Sequence, residues 1–132
     1  MKIGVIADIH GNASALKAVL ADIDKRGDIE HIYCLGDMIG IGPDTNEVLE
    51  ILFARVDISM ITGNHDEAIL ALLTGKEHPP SHAHAKAHHQ WIADNMDSSY
   101  ISKLEKLPRK ITKNIEGHSD GILAMRALQP IV

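Results

Sequence analysis

The chain has 132 residues, 45% of them apolar and 23% charged, with a formal net charge of −5. That length holds one domain, that apolar content excludes disorder as the main state, and the negative charge excludes general affinity for a nucleic-acid backbone. Aromatics are only 3%, so the core must be aliphatic. No apolar run approaches the ~20 residues of a membrane helix, and the apolar start meets Asp8 too soon for a signal peptide. No membrane partner is therefore expected. The single cysteine, Cys34, cannot close an internal disulfide, which fits a reducing, cytoplasmic setting.

In chain order, Lys2 to Ala7 reads as a short β-branched strand, apolar on both faces. Ser14 to Lys25 reads as a helix with Leu16, Val19, Leu20 and Ile23 on one stripe, ended by Gly27. A second strand runs from His31 to Leu35, a helix from Thr45 to Ala54, and a third strand from Asp57 to Ile61. Strand–helix–strand–helix–strand implies parallel strands with right-handed crossovers, an α/β fold. Glu67 to Leu73 reads as a short helix and Gly75 to Ser81 as a loop. Ala83 to Asn95 and Ser99 to Leu107 read as helices, so residues 67–107 form a helical segment. Lys110 to Ile115 and Gly121 to Met125 are candidate strands. There is no internal repeat.

Three successive strands end in side chains able to hold a metal: Asp8 and His10, then Asp37, then Asn64 and His65. Ligands of an open parallel sheet gather at the carboxyl ends of its strands, so the three groups converge without special assumptions. Asp37 has two oxygens and can bridge two cations; Asn64 offers a neutral carbonyl oxygen. Imidazole with carboxylate suits Mn, Fe, Zn or Ni better than Ca. Two such cations roughly 3.5–4 Å apart, sharing an aspartate, make a phosphoryl-transfer site.

Asp8-Ile9-His10-Gly11-Asn12, Gly36-Asp37 and Gly63-Asn64-His65-Asp66 resemble, in order and spacing, the first three motifs of the calcineurin-like metallophosphoesterases. The stretch from Gly36 to Val48 resembles the bacterial branch related to diadenosine-tetraphosphate hydrolases. The resemblance covers about residues 1–115 and implies two facing sheets flanked by helices. It implies that Asp8 and His10 hold a first metal, that Asp37 bridges, and that Asn64 holds a second. It gives His65 the task of protonating the leaving oxygen or steadying the transition state, oriented by the Asp66 carboxylate.

The family pattern continues with a histidine after a fourth strand and a Gly-His-x-His motif, which close the two-metal shell. Gly117-His118-Ser119-Asp120 lacks the second histidine and comes too soon, so His118 reads as an ordinary exposed residue. Ile122 to Leu128 has the order that a one-base deletion would produce from Ile-Leu-Val-His-Ala-Ser-Pro with suitable codons. The expectation is a single domain over 1–132, truncated before the last two motifs, with the second sheet largely missing. Metal occupancy is then expected to be partial. A bare sheet face is expected to drive a homo-oligomer.

Other readings compete at single positions. Asp8, Asp37 and Asp66 could each be a strand-end cap or turn former. Cys34 reads as a small core residue. Gly40-Ile41-Gly42-Pro43 lacks the lysine of a phosphate-binding loop and reads as loop geometry. His78, His82, His84, His88 and His89 read as a polar helical surface over the site, although His84 and His88 have the i,i+4 spacing that could share a cation. Trp91 and Ile92 read as anchors of that helix in the core, and His31 as structural. The leading function is metal-dependent hydrolysis of a small phosphorylated substrate, with nucleotides among the candidates. The second is an impaired remnant that binds metal weakly and serves as a binding or oligomeric module. A receiver-like acidic pocket, the third, does not explain Asn64-His65.

Overall fold

The computed structural model describes residues 2–114 and 122–126. Its centre is a three-stranded parallel sheet in the order β1 (Ile3–Ile6), β2 (His31–Cys34), β3 (Ile58–Met60), with Ile3 opposite His31 and Ile32 opposite Ile58. The crossovers are α1 (Ala13–Arg26) and α2 (Thr45–Ala54). Asn12 caps α1, its side-chain oxygen accepting the Ala15 N–H at 3.0 Å, a contact worth about 0.5–2 kcal/mol. Gly27 closes α1 in the left-handed conformation, φ 74°, which a side chain would resist. Val48, Leu49 and Leu52 turn the inner stripe of α2 into the core.

Beyond β3 the chain enters α3 (Asn64–Leu73) almost at once. The sequence places this start at Glu67, because Asn, His and Asp are poor helix formers. Capping overrides propensity: the Asp66 carboxylate accepts the Gly63 N–H at 2.9 Å and fixes the first turn over Asn64-His65-Asp66. The helix expected over 83–95 is divided into a 3-10 segment, Pro80–Ala85, and α4 (Lys86–Asn95), with a kink at His82. Next come α5 (Ser99–Glu105) and an antiparallel pair, β4 (Lys110–Asn114) with β5 (Ile122–Arg126). His118 and the 127–132 tail lie outside the described residues.

Ile32, Met38, Ile39, Leu49, Leu52 and Ile69 are fully buried, and Ile92, Ala93, Met96 and Leu104 from α4 and α5 join the same apolar cluster. That cover changes one expectation. Ile32, Tyr33 and Cys34 are all buried, so both faces of β2 are covered and no broad bare face remains there. Within the sheet, exposure is concentrated at β1, where Val5 is 52% accessible. Trp91 also departs from the sequence reading: Ile92 is buried, whereas Trp91 is half exposed and stacks on His88 with ring centroids 6.4 Å apart. Successive residues of a helix point about 100° apart, so one of the two anchors and its neighbour faces out. His31 is structural, its Nε2 lying 2.7 Å from Ser59 Oγ on β3.

Candidate active site

At the carboxyl end of the sheet, Asp8, His10 and Asp37 all adopt left-handed backbone, with φ of 55°, 48° and 52°. Asp and His tolerate this region better than most residues, and it turns the chain sharply as it leaves each strand. Backbone hydrogen bonds then join the loops after β1 and β2. His10 N–H donates to Asp37 O at 2.9 Å, Gly11 N–H to Met38 O at 2.9 Å, Gly42 N–H to His10 O at 2.8 Å and Asp44 N–H to Gly11 O at 2.9 Å. The last two give the Gly40–Asp44 stretch its purpose, which is to fix the first motif from the side.

Ligand atoms from Asp8, His10 and Asp37 lie within 4.8 Å of one another. His10 Nε2 is 3.7 Å from Asp8 Oδ1, while His10 Nδ1 is buried without a hydrogen-bond partner. His10 Nε2 beside the carboxylates of Asp8 and Asp37 is a donor set suited to a cation. Asn64 extends the set. One end of its amide lies 3.0 Å from both Asp37 oxygens and the other faces His82 Nε2 at 3.0 Å. With Nδ2 toward Asp37 the site is self-satisfied. With the carbonyl oxygen there, two acceptors meet, and a shared cation reconciles them. The residues present therefore fit a divalent metal.

Asp37 is also held from α3: its Oδ1 accepts the His65 N–H at 3.0 Å, at the positive end of that helix. The two chains pass so closely that a Cβ on Gly63 would fall inside the Asp37 carboxylate. Asp66 is 1% exposed. Its Oδ1 accepts Met38 N–H at 3.0 Å and Ile39 N–H at 3.1 Å, in addition to the Gly63 bond. Burial pushes its carboxyl up to about 7, against the pull of these three donors. The orientation of His65 by Asp66 is thus corrected. The three backbone groups occupy that carboxylate, so it ties the Asp37 loop to α3, while the ring nitrogen Nδ1 of His65 meets His89 Nε2 at 3.0 Å.

The histidine-rich segment is likewise corrected. His78, His82 and His89 are buried, not surface groups. His78 Nε2 lies 2.8 Å from His89 Nδ1, His82 meets Asn64, and His88 Nε2 accepts the Ile41 N–H at 2.7 Å. Nine histidines in 132 residues mark this segment for attention, but their spacing does not show which turn inward, because the kink at His82 resets which face each residue occupies. Burial holds His65 below the usual imidazole range, and His89 falls to about 4 for the same reason, with its histidine neighbours adding to it.

The chain is similar in sequence and fold to known proteins. The profile of the calcineurin-like phosphoesterases matches residues 1–123, and the chain belongs to that family. An uncharacterised protein of Methanocaldococcus jannaschii is 37% identical over 116 residues, 87% of this chain and 45% of that protein. A symmetrical bis(5'-nucleosyl)-tetraphosphatase of Pectobacterium atrosepticum is 32% identical over 72 residues, 54% of this chain and 26% of that one. A solved metallophosphoesterase of Sphaerobacter thermophilus superposes with a TM-score of 0.67 at 30% identity, covering 86% of this chain and 44% of that one. The chain thus spans less than half the length of these relatives. Among the described residues, no helix is long and apolar enough to cross a membrane.

Proposed function

We propose that the chain is a metal-dependent hydrolase of phosphate esters or phosphoanhydrides. The observation that carries this reading is the convergence of Asp8, His10 and Asp37, with Asn64 beside Asp37, at the ends of three parallel strands. In this reading Asp8 and His10 hold one cation, Asp37 bridges, and Asn64 holds the second. Mn, Fe, Zn or Ni suits the donors. Two bound cations would acidify a water and neutralise charge on the phosphoryl oxygens. His65, fixed above Asp37 by its own N–H, exchanges a proton with the oxygens of the reaction. The tetraphosphatase name of several relatives supports a nucleotide with linked phosphates as substrate. The buried lone cysteine supports a cytoplasmic setting.

The test is turnover of bis(4-nitrophenyl) phosphate and of diadenosine tetraphosphate with Mn or Zn added, alongside measured metal content. Asp37→Asn should lose metal and turnover together. His65→Ala should keep metal and lose about 10²–10⁴-fold in rate. Intact turnover in His65→Ala would remove that residue from the chemistry.

A second reading, an oligomeric binding module, is favoured by one observation. A groove of about 360 Å³ runs along β1 and α1, lined mainly by Val5, Ile6, Ile9, Leu16 and Val19, with Asp8 and Asn12 also in its wall. We propose a second copy of the chain as its occupant.

A further inference from the structure

Among the described residues, the exposed large apolar side chains are Val5, Val19, Ile41, Val56 and Trp91. Val5 and Val19 line the groove along β1 and α1, and Val56 lies in the turn before β3. The other two meet at His88. The rings of Trp91 and His88 are nearly parallel, with 11° between their planes and 6.4 Å between centroids, and the Ile41 N–H ends on His88 Nε2. Parallel rings in full contact lie about 3.5–4 Å apart, so this pair is displaced sideways and each ring leaves part of its face to other partners. Trp91 is 49% exposed.

Ile41 adds strain to exposure. It is 63% accessible with φ 71°, a left-handed backbone that is an outlier for a β-branched residue. A strained, exposed apolar residue gains nothing for folding from that position, which points to use of its side chain in binding. The same loop touches the candidate active site: a Cβ on Gly40 would lie 3.3 Å from His65 Cβ. From the helical side, ring centroids step 6.4 Å from Trp91 to His88, 6.3 Å to His89 and 5.2 Å to His65. The two ends of this path differ in kind. Asp8, His10 and Asp37 suit cations, and through them an anionic group. Trp91 and His88 are flat and π-rich, and His88 Nε2 holds a lone pair toward the Ile41 N–H. A ligand complementary to both ends carries phosphate at one end and a flat, uncharged aromatic group at the other, as a nucleotide does.

We propose that Trp91 and His88, with Ile41 beside them, form a platform on which the base of a nucleotide substrate stacks. This deepens the hydrolase reading, on which it rests for the phosphate end, by assigning the residues that select a nucleoside. The platform comes from α4 and from the loop after β2, so it lies outside the three strand-end motifs. It also gives Trp91 a use that an anchor in the core would not have. Aromatic stacking accepts any base, because each has a π-face, so the platform selects nucleotides over simple phosphate esters without choosing among bases.

Trp91 is the single tryptophan of the chain, so its fluorescence reads the platform directly and needs no turnover. The full chain, with zinc added, is titrated with the non-hydrolysable adenosine 5'-(α,β-methylene)diphosphate and with methylenediphosphonate, which has no nucleoside. The nucleotide analogue should quench Trp91 saturably, and methylenediphosphonate should not. His88→Ala keeps the probe and should move the quenching midpoint to about 2- to 10-fold higher concentration. Trp91→Leu, at a half-exposed position, should weaken calorimetric binding of the nucleotide analogue about 5- to 150-fold and leave that of methylenediphosphonate where it was. Absent quenching by the nucleotide analogue overturns the proposal. So does linear quenching no stronger than that of free tryptophan amide, or equal affinity for the analogue in the parent and Trp91→Leu. The hydrolase reading fails separately: saturable quenching without binding of methylenediphosphonate and without turnover of bis(4-nitrophenyl) phosphate removes the hydrolysis and keeps the platform.

Discussion

Asp66 has the residue type and position of a catalytic orienter, yet all of its geometry is directed at the backbone. Three N–H groups, from Gly63, Met38 and Ile39, end on its two oxygens. The consequence for chemistry is indirect, since the same loop carries Asp37. His89 illustrates the opposite case, a residue without a motif that reaches the reacting ring. Its burial has a thermodynamic signature. The folded imidazole titrates near 4 and the unfolded one near 6.5, so between these values the unfolded state holds more protons. This ring by itself makes stability rise with pH across that window, while the raised Asp66 carboxyl opposes it, so the contribution of His89 is the difference between the parent and His89→Leu. Urea titrations at pH 7, 6 and 5 should show the parent losing stability relative to His89→Leu as the pH falls. A pH dependence unchanged by His89→Leu would contradict the buried, neutral ring.

At the scale of elements, the crossing of β3 into α3 governs the site. Gly63 has ordinary extended dihedrals, φ −97° and ψ 179°, so its backbone would accept any residue. The space would not, because Asp37 occupies it. Gly63→Ala should therefore cost stability by displacing Asp37, by about 1–3 kcal/mol as for other overpacked sites, and should weaken metal binding more than Gly27→Ala does. Equal metal affinity in the two variants would refute this. The three strands and two crossover helices were legible in the sequence because β-branched runs and a 3.6-residue stripe are local signals. The convergence of Asp8, His10 and Asp37 followed from sheet topology alone. The early start of α3 was hidden because a side chain three residues inside the helix caps it. The inward turn of His78, His82 and His89 was hidden because it depends on a kink, and on which helices cover the sheet.

For the whole molecule, β1 and β3 are the two edges of the parallel sheet among the described residues, and β1 is the one that carries an exposed large apolar side chain, Val5. The carbonyls of Lys2 and Ile6 are taken by Glu30 and Leu35, so by the two-residue period of a strand, Val5 presents its backbone outward. An edge with no partner strand among the described residues, beside a largely apolar groove, is a template for association, and a twofold pairing of β1 with β1 would satisfy both. Sedimentation velocity should show mass rising with concentration, and Val5→Lys should hold the chain monomeric. A concentration-independent monomer would sink the dimer.

The left-handed backbone of Asp8, His10 and Asp37 has a further consequence. Each such residue carries about 1–3 kcal/mol of conformational cost that glycine would not. Asp8→Gly should accordingly raise the melting temperature of the metal-free protein while removing a ligand; a lower one would show that Asp8 is not strained. Substitutions selected for thermal robustness alone would thus tend to fall on the metal-binding residues themselves, where stability and chemistry pull in opposite directions.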